Sequence, residues 1–198
     1  MLKIKNQETT EEISDVLNVQ YDTALWLLVK GDSVTGKPLT QPRDVYVDWS
    51  PIGSSYACLE LVGEALATLI IEKIEEGFFE SPDVVAGIDA DGGPLALIVS
   101  RSLEMPMALI RARHYSDEKK VENHSTVDAN YASVKGKKVL LVDDVVTSGI
   151  RISQIAKSAD EYSMKIVGAA VIVDKKGENY ISGIPLAYLI RVVPIIGV

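Results

Sequence analysis

The sequence predicts an α/β fold with a central, mostly parallel sheet flanked by helices. Two observations carry this. Short, nearly continuous Val/Ile/Leu runs recur along the chain, the pattern of strands buried on both faces. Stretches with helical apolar spacing separate them, as a layered α/β architecture requires.

Taken in order, residues 1–42 read as a helical segment and linker, and residues 43–198 as the α/β domain. Residues 31–42 are rich in turn formers and make the linker. Residues 44–49 alternate apolar and polar side chains and read as a strand. Residues 56–76 place Leu59, Val62, Leu66, Leu69 and Ile70 at helical spacing, with Ser54 and Ser55 able to cap the start and Gly77 to end it. Residues 84–88 form a short apolar strand, 94–103 a helix and 107–113 the next strand. Residues 114–135 are polar and unpatterned, which predicts a long loop. Residues 139–142 form a strongly apolar strand that enters Asp143-Asp144. A helix over about 149–162, a strand over 166–173 and a last strand near 186–193 complete the domain.

Composition narrows the class. The chain has 198 residues, 47% of them hydrophobic and 24% charged, the balance of an ordinary globular protein. The lone Cys58 excludes an internal disulfide and reads as a buried, inert thiol. No run approaches the roughly 20 apolar residues of a membrane span, and the first residues lack a signal-peptide core, so a cytoplasmic location is expected. The net charge of −8 argues against a globally basic nucleic-acid binder.

The chemistry concentrates in residues 139–152. A buried strand delivers Asp143 and Asp144 to the sheet edge, where ionised carboxylates act as acceptors for sugar hydroxyls or for water held by Mg²⁺. Thr147-Ser148-Gly149 then turns into a helix, and hydroxyls beside the free N–H groups of a helix start make an anion site. Acceptors for a diol next to a phosphate cradle describe a ribose 5-phosphate pocket. A second segment, Asp89-Ala90-Asp91-Gly92-Gly93, follows a strand and opens a helix. Its glycines allow close approach of backbone to an anion, while Asp89 and Asp91 add negative charge.

Residues 139–152 closely resemble the signature of type I phosphoribosyltransferases, which bind phosphoribosyl pyrophosphate (PRPP) with Mg²⁺. The resemblance implies that Asp143 and Asp144 hold the ribose hydroxyls. It implies that Val145, Val146, Thr147, Ser148, Gly149, Ile150 and Arg151 wrap the 5-phosphate, and that Mg²⁺ arrives with PRPP rather than on a dedicated protein site. The family has a small residue and then Thr or Ser after the glycine. Here Ile150 and Arg151 stand there, and Arg151 offers a positive charge to the same phosphate. Asp89, Ala90, Asp91, Gly92 and Gly93 look like the family's pyrophosphate loop. Coverage runs over about residues 43–193, where residues 44–76 and 136–174 are similar to the orotate phosphoribosyltransferase group. By that likeness Arg111 and Arg113 are the basic side chains near pyrophosphate, and Lys119 or Lys120 the loop cation that supports a leaving group. A homodimer is implied by the family.

The first region adds a second expectation. Residues 9–28 read as two short helices broken at Asn18-Val19, with Thr9 or Thr10 and Glu12 placed for a capping box. The pattern resembles a helix-turn-helix, in which Gln20, Tyr21 and Thr23 would read bases. A helical hood over the ligand pocket accounts for the same residues. Residues 1–40 hold four basic and six acidic side chains, an adverse balance for phosphate contacts. Archaeal orotate-phosphoribosyltransferase-like transcriptional regulators join both features, and this chain resembles them at Glu12–Val19 and Val47–Ser50. The resemblance therefore implies a regulator that senses PRPP or a nucleoside monophosphate and binds DNA. The alternative is an active transferase joining PRPP to orotate or a purine base.

Asp144→Asn is expected to weaken PRPP binding, because a neutral amide replaces a charged acceptor. Calorimetry with Mg²⁺ checks this, and an unchanged affinity contradicts the assigned role.

Overall fold

A computed structural model describes residues 3–4, 54–112 and 127–193. Within them the chain forms β1 (Lys3–Ile4), α1 (Tyr56–Glu75), β2 (Val84–Ile88), α2 (Asp89–Ser102), β3 (Met107–Ala112) and β4 (Val127–Tyr131). It continues through β5 (Lys138–Val146), α3 (Ile150–Ser158), β6 (Lys165–Asp174), β7 (Tyr180–Ile181) and β8 (Ile184–Val193).

The sheet order is β1-β8-β6-β5-β2-β3-β4, with β7 pairing β8. Pairings β8–β6, β6–β5, β5–β2 and β2–β3 are parallel, whereas β4, β1 and β7 are antiparallel additions at the margins. The parallel centre is the arrangement that apolar strands covered on both faces demand. Alternation along β5 shows it: Leu140 and Val142 join the core beneath α1 and α2, while Val139 and Leu141 join the core beneath α3.

The order in which successive strands are added reverses between β2 and β5. From β2 the chain passes through α2 to β3 on one side; from β5 it passes through α3 to β6 on the other. That reversal leaves a crevice beyond the carboxyl ends of β2 and β5, the position where open α/β sheets bind ligands.

Several sequence expectations shift. The helix expected from residue 94 starts at Asp89, so the expected pyrophosphate loop is the first turn of α2. Asp89 takes φ 54°, a left-handed conformation that Asp tolerates better than most residues, and this turns β2 directly into α2. Pro94 lies inside that helix instead of opening it. The long loop over 114–135 contains β4, which pairs antiparallel with β3, as Leu109 opposite Asn130 illustrates. β5 runs through Asp143-Asp144 to Val146, so the acidic pair belongs to the strand itself. Within the region read as helices and linker, Lys3 and Ile4 pair with Val193 and Val192 and cover the β8 edge. Cys58 is only half-buried. The expected strand at 44–49, the helix pair at 9–28 and the linker at 31–42 lie outside the described residues. Among the described residues, no helix is long and apolar enough to cross a membrane.

A buried ion pair anchors the turn after β6. Asp174 is fully buried and accepts from Arg191 Nε at 2.6 Å, while its other oxygen accepts from the N–H groups of Lys176 and Gly177 at 2.8 and 3.1 Å. Arg191 also donates to Glu178 O and Asn179 Oδ1, each at 2.9 Å, and stacks 4.0 Å from the centre of the Tyr188 ring. Removing one partner of such a pair strands a buried charge. Arg191→Ala is therefore expected to cost about 3–5 kcal/mol in urea unfolding, and a loss below about 1 kcal/mol would contradict this role for the pair.

Candidate phosphosugar-binding site

The crevice is built by two strand-to-helix turns. β2 runs into α2 at Asp89; β5 runs into α3 through Thr147-Ser148-Gly149. The turns are held together by backbone contact. A Cβ on Gly92 would stand 2.3 Å from the Val142 carbonyl oxygen, so only glycine permits α2 to start this close to β5. The close approach that this glycine allows is thus to the protein's own strand. Gly93 is buried with it, facing the Leu109 side chain.

Asp143 is almost wholly buried and Asp144 nearly so. Both carboxyls reach the same guanidinium, that of Arg151. Asp143 lines the cavity, whereas Asp144 is influenced by the negative charge of Asp91. Each is partly satisfied locally: Asp143 Oδ1 accepts from the Asp144 N–H at 3.1 Å, and Asp144 Oδ1 accepts from the Val145 N–H at 2.6 Å. Burial drives the Asp143 pKa well above the usual carboxylate value, against the opposing pull of Arg151, and Asp144 raises it further. Burial raises Asp144 as well, opposed by its backbone hydrogen bond.

Arg151 crosses the crevice. Its Nη2 lies 3.1 Å from Asp143 Oδ2 and 3.8 Å from Asp144 Oδ1, and donates to Val145 O at 3.5 Å. Its Nη1 lies 3.8 Å from Asp89 Oδ2 and 3.9 Å from Asp91 Oδ2. One guanidinium on α3 thus links the acids of β5 to those of α2. Asp89 and Asp91 also suit the positive end of the α2 dipole.

Beside Arg151 lies a cavity of about 200 Å³, lined by Asp143 and residues 145–152. Gly149 precedes α3 with φ 76°, a conformation glycine adopts without strain. Ser148 Oγ accepts from the Ile150 N–H at 3.4 Å. The cavity therefore combines the Thr147-Ser148 hydroxyl residues, the start of α3 and one buried carboxylate. That set accepts hydroxyl protons at one end and offers backbone donors to an oxyanion at the other.

Arg111 is exposed on β3. Ile88 pairs with Ile110, so Arg111 follows at the sheet edge where Asp89 follows Ile88. Arg113, Lys119, Lys120, Gln20, Tyr21 and Thr23 lie outside the described residues. Sequence reasoning missed the turn after β6. The Lys175 N–H donates to Val146 O at 2.8 Å, and a Cβ on Gly149 would stand 3.4 Å from Lys176 Cδ, so this turn flanks the Thr147–Gly149 loop. Its only sequence signal is Asp174-Lys175-Lys176-Gly177 directly after an apolar strand. Among the described residues, no group of three or more His, Cys, Asp or Glu side chains is arranged to hold a metal ion.

Comparison with known proteins agrees with this geometry. The phosphoribosyl transferase domain family matches residues 55–181. The transcriptional regulator GfcR of Methanocella arvoryzae is 38% identical over 184 residues, 91% of this chain and 87% of the relative. Transcriptional regulator GfcR 1 of Methanosarcina barkeri is 35% identical over 188 residues, 95% of this chain and 91% of the relative. Among solved structures, the orotate phosphoribosyltransferase of Mycobacterium tuberculosis in complex with PRPP aligns with a TM-score of 0.60 at 16% identity. The alignment covers 91% of this chain and 94% of that one, a likeness of fold.

The raised Asp143 pKa has a definite sign. A folded-state carboxyl that binds its proton more tightly than the unfolded chain gains stability as pH falls. Urea unfolding of wild type and Asp143→Asn should therefore diverge. Wild type should gain on the variant as pH drops from Asp143's raised value toward the ordinary carboxylate value of about 3.9. A flat or reversed difference would contradict a buried, desolvated Asp143.

Proposed function

The chain belongs to the phosphoribosyl transferase domain family, and from that premise we propose that it is a transcriptional regulator whose phosphoribosyltransferase-type domain senses PRPP or a nucleoside monophosphate. The observation that carries the reading is the likeness to regulators over about nine tenths of both chains, the N-terminal region included.

The crevice supports the sensing half. In this reading Asp143 and Asp144 accept from ribose hydroxyls, while Thr147, Ser148 and Gly149, with the start of α3, hold the 5-phosphate. Charged acceptors beside backbone donors select a sugar phosphate over a neutral sugar or a bare anion. Arg111 and Arg113 would face a pyrophosphate group, with Lys119 and Lys120 nearby in sequence. Mg²⁺ would accompany PRPP as the ligand's own counter-ion. Among the described residues, the carboxylates of this crevice face the Arg151 guanidinium.

The DNA-binding half rests on residues 1–42, where Gln20, Tyr21 and Thr23 are the proposed base-reading positions. The net charge of −8 makes a homodimer part of the proposal, because two weak half-site contacts add through avidity. A cytoplasmic location belongs to the same reading. The competing reading is an active phosphoribosyltransferase, favoured by the Asp143-Asp144 pair beside the Thr147–Gly149 turn. It requires pyrophosphate release from PRPP with orotate, uracil or a purine base.

Fluorescence anisotropy with DNA fragments from the protein's own genome, at low salt, tests the regulator. The full chain should bind at least one fragment, and PRPP should change that affinity by about tenfold, a coupling of ~1.4 kcal/mol. No DNA binding at low salt, together with pyrophosphate release from PRPP and a base, would replace the regulator with the transferase.

A further inference from the structure

The phosphate end of the crevice is short of positive charge. Among the described residues that line its cavity, Arg151 is the one cation. Its guanidinium already lies 3.1–3.9 Å from Asp89, Asp91, Asp143 and Asp144. A phosphate monoester carries roughly −1.5 to −2 charge at neutral pH. The free N–H groups at the start of α3 answer it only with partial charges. A second cation beside the Thr147–Gly149 turn would complete the subsite.

The turn after β6 brings Lys176 there. Asp174 Oδ1 accepts from the Lys176 N–H at 2.8 Å, and Asp174 is itself held by Arg191. Farther along, Ser182 Oγ donates to Ser153 Oγ on α3 at 3.0 Å. A Cβ on Gly149 would meet Ile181 Cγ2 at 3.0 Å, so this segment is seated directly against the phosphate turn. The same absent Cβ would stand 3.4 Å from Lys176 Cδ, which lays the lysine stem along Gly149. The ammonium is one methylene beyond that carbon, and it pairs with Glu178 Oε2 at 3.1 Å.

We infer that Lys176 is a ligand-binding residue whose ammonium leaves Glu178 to pair with the 5-phosphate held at Thr147–Gly149. The inference rests on the proposed function and deepens it, by assigning a phosphate contact outside residues 145–151. The exchange costs little. The Glu178 side chain is 57% exposed and that of Lys176 25%, and an ion pair open to water contributes weakly. A charge-assisted contact with a phosphate is stronger. Lysine suits the task, because a point charge on a flexible stem can turn from one acceptor to another while its backbone stays fixed. Glu178 competes with the phosphate for the same ammonium, and so tunes affinity without touching the ligand.

Calorimetry with ribose 5-phosphate on the full chain, at neutral pH and low salt, tests the inference. Lys176→Gln should weaken binding about tenfold. Glu178→Gln should tighten it about threefold, because the ammonium loses its competing partner. That tightening should vanish when Glu178→Gln is placed in the Lys176→Gln background, a coupling that a merely structural lysine would not produce. Circular dichroism and thermal melting establish that each variant is folded, and Lys176→Met serves if Lys176→Gln is not. Unchanged affinity in the folded lysine variant, or a Glu178→Gln effect that is absent or equal in both backgrounds, overturns the inference. A wild type that binds no ribose 5-phosphate removes the proposed function along with it. Wild-type binding that is indifferent to Lys176 removes this inference alone.

Discussion

The structure depends on burying ionisable carboxylates at the end of β5 without leaving their charge unanswered. Asp143 sits almost out of solvent, and its carboxyl is pushed toward the protonated form by burial. A lone buried carboxylate would cost several kcal/mol. Here the cost is offset by backbone N–H groups of the same strand and by Arg151 from the following helix. The result is a polar crevice held at the centre of an apolar sheet, ready to exchange one set of partners for another.

The fold supplies that crevice through its connectivity. Because the chain leaves β2 on one side and β5 on the other, the starts of α2 and α3 face each other across the sheet edge. Gly92 brings them to contact distance, and the Asp174–Arg191 pair shapes the turn that flanks the other wall. These are packing devices, yet each one positions a group of the site. In the proposed function, stability and binding are coupled in this region: the same Asp143 that costs stability as an anion is the proposed acceptor for a sugar hydroxyl.

Much of this was readable from residues. The parallel core followed from Val/Ile/Leu runs, since strands buried on both faces carry no polar alternation. The placement of the acidic pair and the Thr147-Ser148-Gly149 turn between an apolar strand and a helix was legible because the Val/Ile/Leu run before them and the helical spacing after them bracket the turn. What escaped has physical reasons. Residues 89–93 looked like a loop because two glycines and a following proline are poor helix formers; tertiary packing of Gly92 on Val142 overrides that preference. β4 was hidden in a polar stretch because a marginal strand needs no second apolar face. The destination of Arg151 was unreadable. Sequence placed it beside the phosphate turn, but only the reversal between β2 and β5 brings Asp89 and Asp91 within its reach.

The central claim is that this crevice is a pocket for a ribose phosphate, with carboxylates at one end and an anion cradle at the other. A crystal structure of the protein soaked with PRPP tests it most directly. The account predicts the ribose hydroxyls on Asp143 and Asp144, the 5-phosphate on residues 147–149, and the ligand seated beside α3. A fully occupied ligand found elsewhere, or a crevice still closed by Arg151 at saturating PRPP, would contradict it.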